Sequence, residues 1–347
     1  MVNGGKHMNS LFQNALTRTP QAVPPIWVMR QAGRYHKHYQ GLRAKYSFEQ
    51  LCKIPEVAAE VALGPVAEFD FDISILFSDI LFPLEGLGMG LQYTDQGPKL
   101  SFQLDPETIK NLGNVDDAVN FMMFQKEAMK ATRSVLPSNK SLIGFVGGPW
   151  TLFVYAVEGS HAGSLAKSKS LLPLYPVFLE KMYQLLRENI RLQFEGGAEV
   201  VMVLDTAAGE VSPHIFQTWL QPSLAKLAQE FPNKLGYYSK GTQPVFFNEE
   251  FKNLPWAGQG FDHRCSLVDS FKLQNKGFVQ GNFDQSLLFL DDSTFKSELD
   301  AFLKPLESLS LEERAGWVCG LGHGVLPKTP EKNVKLFVDT VRERLAR

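Results

Sequence analysis

Short β-rich runs alternate with longer helical patterns from one end of the 347-residue chain to the other. The runs are "PIWVM" (25–29), "ISILFSD" (73–79), "LIGFVG" (142–147), "EVVMVLD" (199–205), "KLGYYS" (234–239), "WAGQGFD" (256–262), "KGFVQG" (276–281) and "GWVCGLG" (316–322). Several are almost continuously apolar, as strands covered on both faces must be. Between them, "PEVAAEVALGPVAEF" and "PLYPVFLEKMYQLLRENIRLQFEGG" place apolar residues at helical spacing, and the second closes on glycines. The last helical pattern, "TPEKNVKLFVDTVRERLAR", offers Thr329 as N-cap and Pro330 as first helical residue. Eight strands alternating with helices predict an α/β fold, a (β/α)8 TIM barrel, as one domain over residues 11–347. A doubly wound sheet has the same alternation and is the alternative. No Pro/Ser/Gly-rich linker divides the chain.

Charge and cysteine usage narrow the setting. The formal net charge is -2, so no global field points to nucleic acid or an anionic membrane. No apolar run approaches the roughly 20 residues a membrane helix needs. Cys52, Cys265 and Cys319 are odd in number and scattered, which predicts reduced thiols and a cytoplasmic protein. Residues 1–10, "MVNGGKHMNS", are polar and glycine-rich, without the apolar stretch of a signal peptide. They are expected to be disordered.

In a barrel of this kind the chemistry sits at the C-terminal strand ends. Those positions hold Arg30 and Arg34, then Phe77-Ser78-Asp79, Gly147-Gly148-Pro149-Trp150, Asp205-Thr206, Gln280-Gly281-Asn282 and Gly322-His323-Gly324, with Tyr155 slightly past the third strand. Each has a plain structural explanation. Arg30 can pair with a structural carboxylate, Asp79 can cap the next helix, Tyr155 can be a packed aromatic, and Thr206 can bond at its strand end. His323 is flanked by glycines, which permit close approach.

Taken together the set says more. From Arg30 to Lys53 there are six Arg/Lys residues and one carboxylate, Glu49. An arginine at the end of a core strand is costly unless an anion meets it. Guanidinium forks suit carboxylate and phosphate, so the site reads as polyanion-binding, with Asp79 among the cations and Phe77 and Phe145 as apolar wall. No P-loop, dinucleotide fingerprint or HExxH is present. The spacing His263-x-Cys265, with Cys319, could begin a zinc site, but no fourth ligand is evident; the expectation is no metal.

The runs "PIWVMRQAGRY", "ILFSDIL", "GFVGGPWTL", "YAVEG", "QGN.D" and "LGHGVLP" resemble, in order and across essentially the whole chain, the uroporphyrinogen decarboxylase family of haem biosynthesis. The resemblance implies a single-domain barrel, a homodimer, and a cofactor-free carboxy-lyase that removes the four acetate carboxyls of uroporphyrinogen III to give coproporphyrinogen III. It maps the family's substrate-binding run onto Arg30, Gln31, Ala32, Gly33 and Arg34. Its central aspartate becomes Asp79, its tyrosine Tyr155, its Ser/Thr position Thr206 and its histidine His323. Arg43 matches a further basic position of the family, and it is expected, with Phe77 and Phe145 of the apolar wall, to make further substrate contacts. One departure stands out: where the family has Ser-His-Ala-Gly, this chain has Thr206-Ala207-Ala208-Gly209.

Loss of CO₂ needs an electron sink, and a pyrrole protonated at the ring carbon beside the acetate supplies one. Arg30 and Asp79 are the catalytic candidates, Asp79 by accepting pyrrole N–H groups and offsetting the developing cation. The proton donor stays open: Arg30 is placed for it, but its pKa above about 12 disfavours it, and Tyr155 and His323 suit orientation and relay. A zinc-dependent methyltransferase of the same fold and a non-catalytic tetrapyrrole binder are the alternatives.

Overall fold

A computed structural model describes residues 8–94 and 97–346. Seven parallel strands form one curled sheet: β1 (Ile73–Ile75), β4 (Ser141–Gly147), β5 (Val201–Asp205), β6 (Leu235–Ser239), β7 (Gly258–Gly260), β8 (Phe278–Phe283) and β9 (Trp317–Leu321), each paired with the next in that order. Two further strands, β2 (Gln92–Thr94) and β3 (Gly97–Lys99), pair antiparallel outside it. The architecture is TIM-barrel-like, each strand feeding a helical connection.

The first predicted strand is corrected. Residues 25–29 form no strand; Ile26 makes a single parallel bridge to Cys319. The local reason is chemical. Pro24 and Pro25 carry no N–H to donate to a ladder, and at Arg30 the backbone turns into the left-handed region at φ 61°. Even so, residues 25–27 bond on both sides. Trp27 N–H donates to the Cys319 carbonyl at 3.0 Å, Cys319 N–H to that of Pro25 at 2.9 Å, and Asp72 N–H to that of Ile26 at 3.0 Å.

Period-two alternation sorts the strand residues into two cores. Leu142, Val146, Val201 and Val203 join the large cluster that reaches the helices. Ile143, Met202 and Leu204 join a second cluster with Trp27, Ile73, Phe278 and Val318. Phe12 and Ala15 of the helix Ser10–Thr17 belong to that second cluster and cover one end of it. Of the segment expected to be disordered, residues 1–7 lie outside the described residues. Asn9 and Ser10 are instead part of the fold: Asn9 is buried and its side chain caps the helix at Phe12 N–H, 3.0 Å away.

Helical patterning was legible. The helix Pro55–Phe69 coincides with the predicted run, and Tyr175–Glu195 fills the second. The last helix spans Glu331–Leu345 and its N-cap is Pro330, so Thr329 is not the cap. Its hydroxyl donates backward to the Leu326 carbonyl at 2.7 Å, serving the preceding turn instead.

Candidate active site

A cavity opens at the C-terminal ends of β1, β4, β5 and β9. Of the residues expected at the site, Arg30, Gln31, Ala32, Phe77, Asp79, Phe145, Tyr155, Thr206 and His323 line it. Gly33, Arg34 and Arg43 do not. Arg34 is exposed to solvent. Arg43 is also exposed, and its Nη1 donates to the Tyr46 carbonyl at 2.9 Å, fastening its own loop.

Arg30 is placed by backbone and by its neighbour. A left-handed φ costs a non-glycine residue about 1–2 kcal/mol, and such strain collects at functional sites. The segment is held by Val325 N–H, which donates to the Met29 carbonyl at 2.9 Å. The Arg30 stem lies against Gly324, where an added Cβ would come within 2.5 Å of its Cδ. The second glycine of "GHG" thus leaves room for the arginine. The Arg30 guanidinium makes no hydrogen bond or ion pair among the described residues.

Asp79 is half-buried and divides its oxygens. Oδ1 accepts from Leu81 N–H at 2.8 Å, closing the turn after β1. Oδ2 has no hydrogen-bond partner among the described residues. Burial raises its carboxyl above the ordinary carboxylate value, partly offset by the Leu81 N–H and the Arg30 charge. The expected turn-capping role is therefore real, but it uses only one of the two oxygens. Gln31 is buried, its Nε2 donating to the Ile73 carbonyl at 3.2 Å, while its Oε1 has no partner among the described residues.

Two hydrogen-bonded aromatic pairs contribute His323, Tyr155 and His161 to the wall. Tyr238 Oη lies 2.7 Å from the Gly322 carbonyl and 3.0 Å from His323 Nδ1. Its single proton goes to the carbonyl, which can only accept, so Nδ1–H donates to Tyr238 and Nε2 is left as an acceptor. Burial pushes His323 down to about 3, with Arg30 and Lys240 adding to the effect, so its ring is neutral. Across the cavity Tyr155 Oη lies 2.5 Å from His161 Nδ1. Burial raises Tyr155 to about 12. His161 is lowered by burial, then by Lys240 and Arg30.

His161 and Lys240 carried no motif signal. The helix Pro149–Glu158 ends at Gly159, which takes φ 79° and donates its N–H to the Tyr155 carbonyl. That turn brings the chain back so that a residue six positions on meets Tyr155. A glycine after an apolar helical run was the one clue in the sequence, and it marks a turn without saying what the turn carries.

Other strand-end residues are structural. Asp205 is fully buried and accepts from Thr151 N–H at 3.1 Å and Thr151 Oγ1 at 2.6 Å, with burial raising it to about 6. Ala207 is fully buried, donates its N–H to Thr151 Oγ1 at 3.0 Å and does not line the cavity. Thr206, by contrast, makes no side-chain hydrogen bond among the described residues and faces the cavity. His263, Cys265 and Cys319 are not brought into one cluster. The one His/acid group close enough to share a cation among the described residues is His36, Glu68 and Glu331, and none of these lines the cavity.

The family model described as uroporphyrinogen decarboxylase matches residues 7–344. A uroporphyrinogen decarboxylase from a Synechococcus species is 34% identical, covering 92% of this chain and 93% of its own length. Another, from Thermus thermophilus, is 32% identical over 97% of this chain and 98% of the relative. Among solved structures, a methyltransferase from Methanosarcina mazei superposes with a TM-score of 0.76, at 18% identity, over 98% of this chain and all of that one. At that identity the likeness concerns fold alone.

Proposed function

The chain belongs to the uroporphyrinogen decarboxylase family, and from that premise we propose how its cavity carries out the carboxy-lyase reaction of porphyrin biosynthesis. The observation that carries the proposal is the pairing of an uncommitted guanidinium, Arg30, with an uncommitted carboxylate oxygen, Asp79 Oδ2, in one cavity. Uroporphyrinogen III is a polycarboxylate with pyrrole N–H groups at its centre. Arg30 holds substrate carboxylates through charge-assisted bonds. Asp79 Oδ2 accepts pyrrole N–H groups and offsets the cation that forms when the ring carbon beside an acetate is protonated. CO₂ then leaves, its bonding electrons flow into the ring, the exocyclic methylene takes a proton to become methyl, and the ring carbon returns its proton. Four such cycles give coproporphyrinogen III. His323, a neutral acceptor at Nε2, suits a donor group of the substrate better than a carboxylate.

The pyrrole supplies the electron sink, so the reaction needs no metal or organic cofactor. Several wider readings accompany this one. Residues 25–27, bonded to β9 on one side and to Asp72 on the other, support closure of the sheet into an eight-membered barrel. A cluster running from Ile26 to Leu345 supports a single domain over 11–347. Three unpaired cysteines favour a cytoplasmic setting; no helix of the described residues is long and apolar enough to cross a membrane. A homodimer follows from the family resemblance, and no nucleic-acid partner is proposed.

The test is anaerobic incubation of EDTA-dialysed protein with uroporphyrinogen III, resolving products by carboxylate number. Stepwise hepta-, hexa- and pentacarboxylates ending at coproporphyrinogen are expected. Turnover that disappears on dialysis and returns only with a metal would overturn the cofactor-free mechanism.

A further inference from the structure

Two cavities meet at Tyr155 and His161. The active-site cavity lies on one side. On the other, a second opening is lined by Lys99, Gln103, Glu158 and Ser160 among others. Tyr155 and His161 are the two residues common to both linings. They are also hydrogen-bonded to each other, Oη to Nδ1, at 2.5 Å. Lys99, Gln103 and Ser160 are exposed, so the second opening communicates with bulk water.

The reaction has a proton requirement that the active site has to meet. Each step converts R–CH₂–CO₂⁻ and H⁺ into R–CH₃ and CO₂. One C–C bond breaks, its electron pair ends in a new C–H bond, and one proton is consumed. The proton lent to the ring carbon is returned, so the net demand is one per carboxyl. A macrocycle bound over the cavity would hinder water from bringing that proton through its mouth. The other charged or imidazole side chains lining the cavity, Arg30, Asp79 and His323, do not line the second opening. Asp79 Oδ1 is fixed in its turn, Arg30 is a permanent cation, and His323 Nδ1 is engaged by Tyr238.

We propose that Tyr155 and His161 form a proton relay that carries one proton from the second opening into the active-site cavity for each carboxyl removed. The inference rests on the decarboxylase reading and adds to it a route and two residues. A proton from water binds the distal ring nitrogen of His161. The Nδ1 proton passes to Tyr155 Oη, and the hydroxyl proton of Tyr155 is delivered into the cavity. Imidazole and phenol are both donor and acceptor, which the transfer requires. Burial and the charges of Lys240 and Arg30 lower the His161 pKa, so a proton taken up by its ring is readily passed on. His161 is the residue that acts through its neighbour; Tyr155 is the one at the substrate side.

The experiment compares wild type, His161→Gln, His161→Gly and Tyr155→Phe in steady-state decarboxylation, in H₂O and D₂O, with and without added imidazole. Melting temperature is measured alongside. Glutamine can still bond Tyr155 but cannot take up a proton at one atom and release it at another. Positioned proton transfer contributes about 10²–10⁴-fold, and partial bypass by water lowers that. His161→Gln is expected to lose about ten- to a hundredfold in kcat with little change in KM or melting temperature. Its solvent isotope effect should rise. Imidazole should restore part of the rate of His161→Gly and none of the rate of Tyr155→Phe. A His161→Gln enzyme within about twofold of wild type, a loss confined to KM, or a kcat loss that neither imidazole nor D₂O affects would each overturn the relay. Failure of the decarboxylase reading looks different, because the wild-type protein itself would then release no CO₂.

Discussion

The two ends of the curled sheet treat charge in opposite ways. At the N-terminal end, Asp72 immediately precedes β1 and Lys140 immediately precedes β4. Lys140 Nζ meets Asp70 Oδ1 at 2.5 Å, while Arg342 meets Asp70 at 2.8 Å and Asp72 at 3.2 Å. Asp72 also accepts from the Ile26 N–H at 2.8 Å and from Asn9 Nδ2 at 3.3 Å. Burial would raise Asp70, but its bond to Lys140 and the nearby cations outweigh that and lower it; Asp72, more deeply buried, stays raised despite them. At the C-terminal end Arg30 has no ion pair among the described residues and Asp79 keeps an oxygen uncommitted. Arg30 and Asp79 Oδ2 are thereby left for a ligand, consistent with barrel chemistry at the C-terminal strand ends.

The sharpest way to break this contrast is Arg30→Ala. Its carboxylate contact should be worth about 2–5 kcal/mol in kcat/KM, with melting temperature nearly unchanged, because the side chain holds nothing together in the free protein. A large fall in melting temperature with normal kinetics would make Arg30 structural and erase the difference between the two ends.

Asp79→Asn should lower kcat by about 10²–10³, while Asp79→Glu, which keeps the charge, should retain more activity. The stability sign is opposite to that of an ordinary ion pair. Because the folded protein raises the Asp79 pKa, the folded state binds the proton more tightly than the unfolded one. The charged form therefore costs stability, and the cost grows as pH rises from the unfolded value through the folded one. Asparagine removes it and still offers Oδ1 to Leu81 N–H. The variant should melt at or above the wild-type temperature near neutral pH, and the difference should vanish below the ordinary carboxylate range. A strongly destabilised but active Asp79→Asn enzyme would reduce Asp79 to a turn cap.

Arg342→Ala tests the other end. It should leave kcat/KM intact and lower stability by about 1–3 kcal/mol, since it removes charged hydrogen bonds and leaves buried Asp72 less satisfied. Denaturant unfolding at equal m-value reads this directly. The smallest effect belongs to Arg34→Ala. Arg34 is exposed and off the cavity lining, so its contribution is expected to come from long-range attraction of a polyanion. A few-fold rise in KM that fades with added salt is expected; a loss as large as that of Arg30 would place it in contact with substrate.

Much of this was readable in the linear sequence. Apolar runs set β4, β5 and β6 within about two residues, and helical spacing with Pro55 at its start set the helix Pro55–Phe69. Position just past a strand picked out Thr206 and His323, because in an alternating α/β chain the register of each strand decides which residue leaves the sheet at its C-terminal end. Asp79, by contrast, lies in the turn beyond β1, Arg30 follows a segment that forms no strand and Tyr155 sits within the helix Pro149–Glu158. Tertiary structure decided which members of the basic stretch serve the cavity. Arg30, Arg34 and Arg43 look alike in sequence and all three are exposed, yet of the three only Arg30, at a left-handed backbone position against Gly324, lines the cavity, while Arg43 binds its own loop. Packing also replaced the first predicted strand by a bridge and enlisted His161 and Lys240 from loops without a motif. Periodicity reports the few residues around a position. Cavity membership and the pairing of charges depend on contacts between residues hundreds of positions apart, as between Asp72 and Arg342 or Arg30 and Gly324, and those exist only once the chain has folded.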